Sequence, residues 1–130
     1  MRDRPRGQGA EAAPPADTRS ADGPQGRLYA APFARVWDAI PSVVARRRLW
    51  RVVHADEELG LATIVCRLPV SGIAGDLSVW VRLDDNGLTR VDARAGARSR
   101  WTGPRTARRR LDRFLAGLDR AVGPDARIRT

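Results

Sequence analysis

The turn sequence Asp84-Asp85-Asn86-Gly87 is the feature that most constrains the fold of this chain. An Asn-Gly pair tolerates the positive φ angles of a tight hairpin. Before the turn, apolar residues occupy every second position of residues 77–83, and residues 88–95 after it have the pattern of a returning strand. This alternation is typical of a half-buried strand. The segment therefore predicts an antiparallel hairpin and, with it, a sheet.

Two more strands are predicted before this hairpin, at residues 50–55 and 61–68, so that four consecutive strands form an antiparallel meander. A short edge strand is predicted earlier, at residues 29–31. If helices cover only one face of such a sheet, Trp80 points to the other face. It would then be exposed or line a partner surface, which is a hint of an interface.

The sequence also predicts two helices. Apolar residues recur at helical spacing from Phe33 to Val44, and Pro41 within this run should kink the helix or split it. A second apolar stripe follows Gly103-Pro104 and ends at Gly123-Pro124. The order strand, helix, four-stranded antiparallel meander, helix predicts an α+β fold, a two-layer sandwich.

The flanks of this domain differ from it in composition. Residues 2–27 contain no aliphatic residue larger than alanine, no aromatic residue and no sulfur after Met1. Such a segment cannot offset the entropy of ordering it, so we expect a disordered tail over residues 1–27. We expect a single domain over 28–123 and a flexible C-terminus over 124–130. No apolar signal region or membrane span is apparent, which favours a cytoplasmic protein.

Positive charge is concentrated near the end of the chain. All 24 basic residues are arginine, and the formal net charge is +9. Residues 86–130 contain 12 arginines and 4 acidic residues, which alone gives +8. A uniform codon bias toward arginine does not explain this distribution, so the sequence indicates a partner or internal ion pairs in that third.

Residues for catalysis or metal binding are scarce. The single histidine, His54, and the single cysteine, Cys66, fall in neighbouring predicted strands, but nothing in the pattern requires them to meet. One histidine and one cysteine do not supply a tetrahedral metal site. We expect His54 to be structural or exposed and Cys66 to be a buried, inert thiol. The sequence therefore predicts no catalytic residue, no metal and no cofactor, and it favours a protein that is not an enzyme.

The strongest candidate site is a cluster of arginines on the last strand, the connection and the final helix. Arginine forks bind phosphate or carboxylate through two parallel hydrogen bonds, and a helix start near Pro104 adds free N–H groups. Three interpretations stay open: a solvated face with local ion pairs, a site for an anionic small ligand or lipid headgroup, and a nucleic-acid surface. The candidate anion-binding residues are Arg94, Arg98, Arg100, Arg105, Arg108 and Arg109.

The same region resembles a bacterial and plastid family catalogued as domain of unknown function 1499. Its strand reads roughly VDVRSxSR and its following helix carries an Arg-Ile start and a Phe-Leu pair. The chain differs from it at Ala95 and Ala97, where the family has serines. The resemblance implies a strand–helix–four-strand–helix domain and a structural polar constellation of Asp92, Arg94 and Arg110. The matching residues are Val91, Asp92, Arg94, Arg98, Arg110, Leu111, Phe114 and Leu115.

Taken together, these patterns predict a non-catalytic binding or scaffold domain for an anionic or amphipathic small ligand or a protein partner. The alternative is a protein that binds nucleic acid or another polyanion through the C-terminal arginines. The two differ in salt dependence, because a polyanion complex weakens steeply as salt rises.

Overall fold

A computed structural model describes residues 25–67, 72–97 and 104–128. Five strands are present: β1 (Gln25–Tyr29), β2 (Trp50–Asp56), β3 (Leu61–Arg67), β4 (Ile73–Leu83) and β5 (Thr89–Ala97). The two helices are α1 (Phe33–Ala45) and α2 (Pro104–Val122), and a 3-10 turn follows at Pro124–Ala126. This is the predicted α+β fold. The disordered tail was predicted over residues 1–27; residues 1–24 lie outside the described residues, whereas 25–27 belong to β1.

All strand pairs in the sheet are antiparallel, and the strand order is β1-β5-β4-β3-β2. Strands β2 to β5 follow one another as a meander, and β1 pairs with β5, so the sheet has five strands rather than four. The predicted turn closes the β4–β5 hairpin. Gly87 has a φ of 78° there, and the Asp84 carboxylate accepts hydrogen bonds from the backbone N–H groups of Asn86 and Leu88.

Both helices pack on one face of the sheet, called here the inner face. The buried residues of α1 and α2 join those of the strands in one hydrophobic core, with Ile64, Val79 and Val91 from the sheet and Ile40 and Phe114 from the helices. Neither described helix is long and apolar enough to cross a membrane.

Four predicted details differ from the structure: the start of the first strand, a split of the first helix at Pro41, the flexible C-terminus and the exposure of Trp80. The first strand begins at Gln25 rather than at residue 29, because Gln25 to Tyr29 pair with β5. Helix α1 runs unbroken through Pro41. A proline inside a helix costs about 3 kcal/mol, and burial of Val43 and Val44 after it holds the last turn against the core.

A flexible C-terminus was predicted over residues 124–130, but its described part, residues 124–128, packs beside β1. After the turn at Pro124–Ala126, Arg127 forms an antiparallel bridge with Tyr29. The N–H of Ile128 donates to the carbonyl of Leu28 at 2.7 Å. These backbone hydrogen bonds fix residues 126–128 along the outer edge of β1.

Trp80 points to the outer face as predicted, but the expectation that it is exposed was wrong. Only 6% of its surface is accessible. It lies on β4, the central strand of the sheet, and the register places Leu61 and Asp92 directly beside it. Side chains on both neighbouring strands therefore flank the indole.

Candidate functional site

One charged residue of α2 lies on the buried side of that helix. Arg110 follows Ala107 by three residues and precedes Phe114 by four, and this spacing puts all three on one face. Only 7% of Arg110 is exposed. Because helical side chains lean toward the helix N-terminus, its guanidinium lies near the first turns of α2.

A glycine on β4 makes room for this guanidinium. A Cβ atom at Gly75 would lie 2.9 Å from Nη2 of Arg110 and 2.3 Å from the carbonyl oxygen of Gly96. Both separations are shorter than atoms tolerate, so no other residue fits at position 75 without displacing the arginine or the strand. The close approach of Arg110 to the sheet therefore depends on Gly75.

The guanidinium has donors without acceptors. Its Nε and Nη2 atoms are buried and have no hydrogen-bond partner among the described residues. These two nitrogens present parallel N–H bonds along one edge of the guanidinium, an arrangement that matches the two oxygens of a carboxylate or phosphate. Arg110 therefore presents an unused fork for an oxyanion on the inner side of the sandwich.

Cys66 lies next to this fork, since the register pairs it with Gly75. Burial raises the pKa of its thiol to about 11, the positive charge of Arg110 lowers it in part, and the negative charge of Asp76 raises it. The thiol is therefore protonated at neutral pH and is a poor nucleophile. The prediction of a buried cysteine is confirmed.

The start of α2 adds partial positive charge to that of Arg110. The first N–H groups of a helix have no intrahelical acceptor, and they form the positive end of its dipole. We use the term Arg110 site for Arg110, Gly75, Cys66 and the first turn of α2. The charge of Arg110 and the helix start both favour anions, and Ala107 and Leu111 on the same helix are buried.

The predicted constellation of Asp92, Arg94 and Arg110 was wrong. Alternate residues of β5 face opposite sides, and Val91 and Ala93 belong to the core on the inner face. Asp92 and Arg94 therefore lie on the outer face, while Arg110 reaches the inner one. The buried Asp92 instead pairs with Arg90, whose Nε lies 3.2 Å from Oδ2 of the carboxylate.

The predicted arginine cluster is also divided. Arg98 and Arg100 lie outside the described residues. Arg94 is exposed on the outer face of the sheet, whereas Arg105 and Arg109 are exposed on α2. Arg108 forms an exposed ion pair with Asp112, with Nε and Oδ1 separated by 3.4 Å. The described members of the cluster therefore do not converge on one point.

His54 and Cys66 do not form a pair. His54 is exposed on β2 and lies opposite Thr63, whereas Cys66 lies opposite Trp50. Four residues of strand separate these positions, which corresponds to about 13 Å. Within the described residues, no three His, Cys, Asp or Glu side chains lie close enough together to hold a metal ion.

A second polar cluster, called here the Asp119 cluster, was not predicted. The Tyr29 hydroxyl donates to Oδ1 of Asp119 at 2.6 Å, and Arg127 Nη1 donates to Oδ2 at 3.0 Å. Arg27 lies 3.4 Å from the same carboxylate. Burial raises the pKa of Tyr29, and the hydrogen bond to Asp119 raises it further. The cluster ties β1 and the C-terminal segment to α2.

One sequence signal could have located Arg110. The heptad-like spacing of Ala107, Leu111 and Phe114 already marks position 110 as part of the apolar stripe. An arginine there is buried unless the helix turns away from the core. The Asp119 cluster had no such signal, because its members are separated by up to about 90 residues and meet only in the fold.

No protein-family model matches this chain, and no curated protein sequence matches it. The resemblance of residues 91–115 to the family described above therefore stays a prediction.

Proposed function

We propose that this chain is a non-catalytic binding domain whose Arg110 site takes the oxyanion of a small ligand. The supporting observation is that Nε and Nη2 of Arg110 are buried and without partner among the described residues. A carboxylate or a phosphate would accept from both donors at once.

The free-energy cost of burying the unpaired donors of Arg110 favours a ligand-binding role over a purely structural one. Leaving a buried charge without compensation costs about 3–5 kcal/mol. A small domain has a total stability of roughly 5–15 kcal/mol, so this cost is a large share of it. A bound oxyanion would remove that cost, which makes the binding free energy of the ligand favourable.

The surroundings of Arg110 indicate the class of ligand. One fork supplies one positive charge, and the neighbouring Cys66 thiol is neutral. On the buried side of α2 the neighbours of Arg110 are apolar, with Leu111 and Phe114 in the core. A small amphipathic anion with one carboxylate or phosphate fits this environment better than a highly charged ligand.

Binding rather than turnover is proposed because the described residues bring no general base to Arg110. His54 is exposed at the edge strand β2, and the Cys66 thiol is held in its protonated form by its pKa of about 11. General acid–base catalysis needs a group that titrates near the working pH within hydrogen-bond reach of the reacting atoms.

The test is thermal unfolding of the wild type and of Arg110→Met, each with and without sodium hexanoate or sodium phosphate. We expect the probe to raise the Tm of the wild type, because ligand that binds only the folded state stabilises it. Arg110→Met should melt at the same or a higher temperature without probe, because a methionine of similar length removes the buried charge. It should not respond to either probe.

Arg105→Met is the matched control, because Arg105 is exposed on the same helix. It should keep the response of the wild type. A large fall in the Tm of Arg110→Met, with no probe effect on the wild type, would show that Arg110 is structural. Hexanoate and phosphate together distinguish a carboxylate from a phosphate ligand, and native mass spectrometry of gently purified protein would identify a retained one.

A further inference from the structure

The two helices approach each other closely at one point. A Cβ atom at Gly117 of α2 would lie 2.9 Å from Cγ1 of Val43 on α1. At the far end, Arg35 of α1 donates a hydrogen bond to the carbonyl of Val122. The start of α1 therefore meets the end of α2, so the helices are antiparallel, and the glycine sets their separation.

An open groove of about 870 Å³ follows this contact on the side away from the sheet, and we call it the interhelical groove. Its floor is made of small residues, including Ala39, Gly117 and Ala121. Four arginines and one aspartate line it: Arg35, Arg46, Arg47, Arg120 and Asp38. With four positive charges and one negative, its lining carries a net charge of +3.

Two of these arginines have no internal role. Arg35 donates to the carbonyl of Val122, and the guanidinium of Arg47 lies 5.5 Å from the ring centre of Trp50. Arg46 and Arg120 are exposed, and neither forms an ion pair with any described residue. Their charges are therefore available to a ligand in the groove.

The positive charge continues along α2 beyond the groove. Arg109 and Arg113 are exposed and precede Arg120 by eleven and seven residues. At 3.6 residues per turn these spacings place all three on one side of the helix, along about 16 Å. These exposed arginines form a row along α2, and none of them belongs to the Arg110 site.

We propose that the interhelical groove binds the sugar–phosphate backbone of a single-stranded nucleic acid. A basic groove that follows a backbone is the arrangement such proteins use, and arginine forks match phosphate oxygens. A membrane surface or an amphipathic helix would need apolar anchors, and the exposed large apolar side chains of the described residues lie elsewhere. Among the residues that the structure describes, no aromatic side chain lines the groove, so binding depends on phosphates rather than on base identity.

The test is fluorescence anisotropy with a fluorescein-labelled oligothymidylate of about 12 nucleotides, titrated at several salt concentrations. The groove variant is Arg46→Gln with Arg120→Gln. The control is Arg51→Gln with Arg82→Gln, which removes the same charge from two exposed residues of the outer face. Ser42→Glu adds a third variant, because Ser42 is exposed in the groove and a carboxylate there repels phosphate without removing an arginine.

The wild type should bind, and the groove variant should bind at least about tenfold more weakly, with a salt slope smaller by about 1.4 for two lost single-strand phosphate contacts. The Ser42→Glu variant should also lose affinity, while the control binds like the wild type. Equal losses in the groove variant and the control would overturn the proposal, as would no wild-type binding at 50 mM salt. Tighter binding to anionic vesicles or to duplex would also overturn it.

Discussion

Asp119 and Arg110 lie on opposite margins of the apolar stripe of helix α2. They differ in how many hydrogen-bond partners the rest of the molecule supplies. Asp119 receives hydrogen bonds from Tyr29 and Arg127 and an ion pair from Arg27. Arg110 is more deeply buried, but its Nε and Nη2 have no partner among the described residues. Asp119 joins three segments of the chain, whereas two donors of Arg110 find no acceptor in the described part of it.

This difference in hydrogen bonding distinguishes a charged residue that stabilises the fold from one that is left for a ligand to bind. A carboxylate with several donors is stabilised in its ionised form and contributes to the folded state. A guanidinium without an acceptor lowers stability until an oxyanion arrives. Removing each charge should therefore change stability in opposite directions.

The largest effect is expected on removing the acceptor of the Asp119 cluster. Asp119→Ala leaves the Tyr29 hydroxyl and two arginines without their carboxylate, and we expect a loss of about 3 kcal/mol in the free energy of unfolding. Urea unfolding measures it. Asp112→Ala is the control, because Asp112 belongs to an exposed pair on the same helix and should change stability by less than about 0.5 kcal/mol. Equal losses of unfolding free energy in Asp119→Ala and Asp112→Ala would show that the Asp119 cluster does not stabilise the fold.

An intermediate effect is expected at Tyr29. Tyr29→Phe removes only the 2.6 Å bond to Asp119, so we expect a loss of about 1–2 kcal/mol at pH 8. The pKa of Tyr29 is raised above its ordinary value of 10.0, so the unfolded chain releases the phenolic proton first as pH rises. The stability of the wild type should therefore fall above pH 10.

Urea unfolding between pH 8 and pH 11 checks this dependence. In Tyr29→Phe the fall should become shallower, with a remainder from the Cys66 thiol, whose pKa of about 11 is also raised. An unchanged slope in Tyr29→Phe would show that the hydroxyl is not the group responsible.

The smallest effect is expected on the pKa of the Cys66 thiol when the charge of Arg110 is removed. Arg110 lowers the pKa of the Cys66 thiol against the larger effect of burial. Arg110→Met should therefore move thiolate formation, followed by absorbance at 240 nm, to higher pH. Arg113→Met, which removes an exposed arginine from the same helix, should leave the titration unchanged. A shift to lower pH in Arg110→Met would place the guanidinium elsewhere.

The sequence predicted those parts of the fold that local patterns specify. The β4–β5 hairpin follows from an Asn-Gly turn between alternating residues, and α2 follows from its apolar stripe. The start of β1 has no strand pattern in its sequence. Its residues Gln25, Gly26 and Arg27 form a strand because they pair with β5. That pairing joins residues more than sixty positions apart.

The candidate site was less predictable for the same reason. The sequence left Arg110 out of the candidate anion-binding arginines, and the family resemblance grouped it with Asp92. Their separation onto opposite faces depends on the alternation of β5 and on the packing of α2. The space for the guanidinium depends on Gly75, which local patterns do not connect with position 110.

The two outer strands of the sheet have consequences for self-association. An unpaired strand edge is a template on which a second chain can add. At β1, the backbone hydrogen bond from Ile128 to Leu28 and the bridge at Arg127 already occupy part of that edge. At β2, the ladder is interrupted by an irregularity between Val52 and His54, beside the exposed charge of Arg51. Residues 126–128 thus cover part of one edge and a bulge interrupts the other, and both features oppose edge-to-edge pairing with a second copy of the chain.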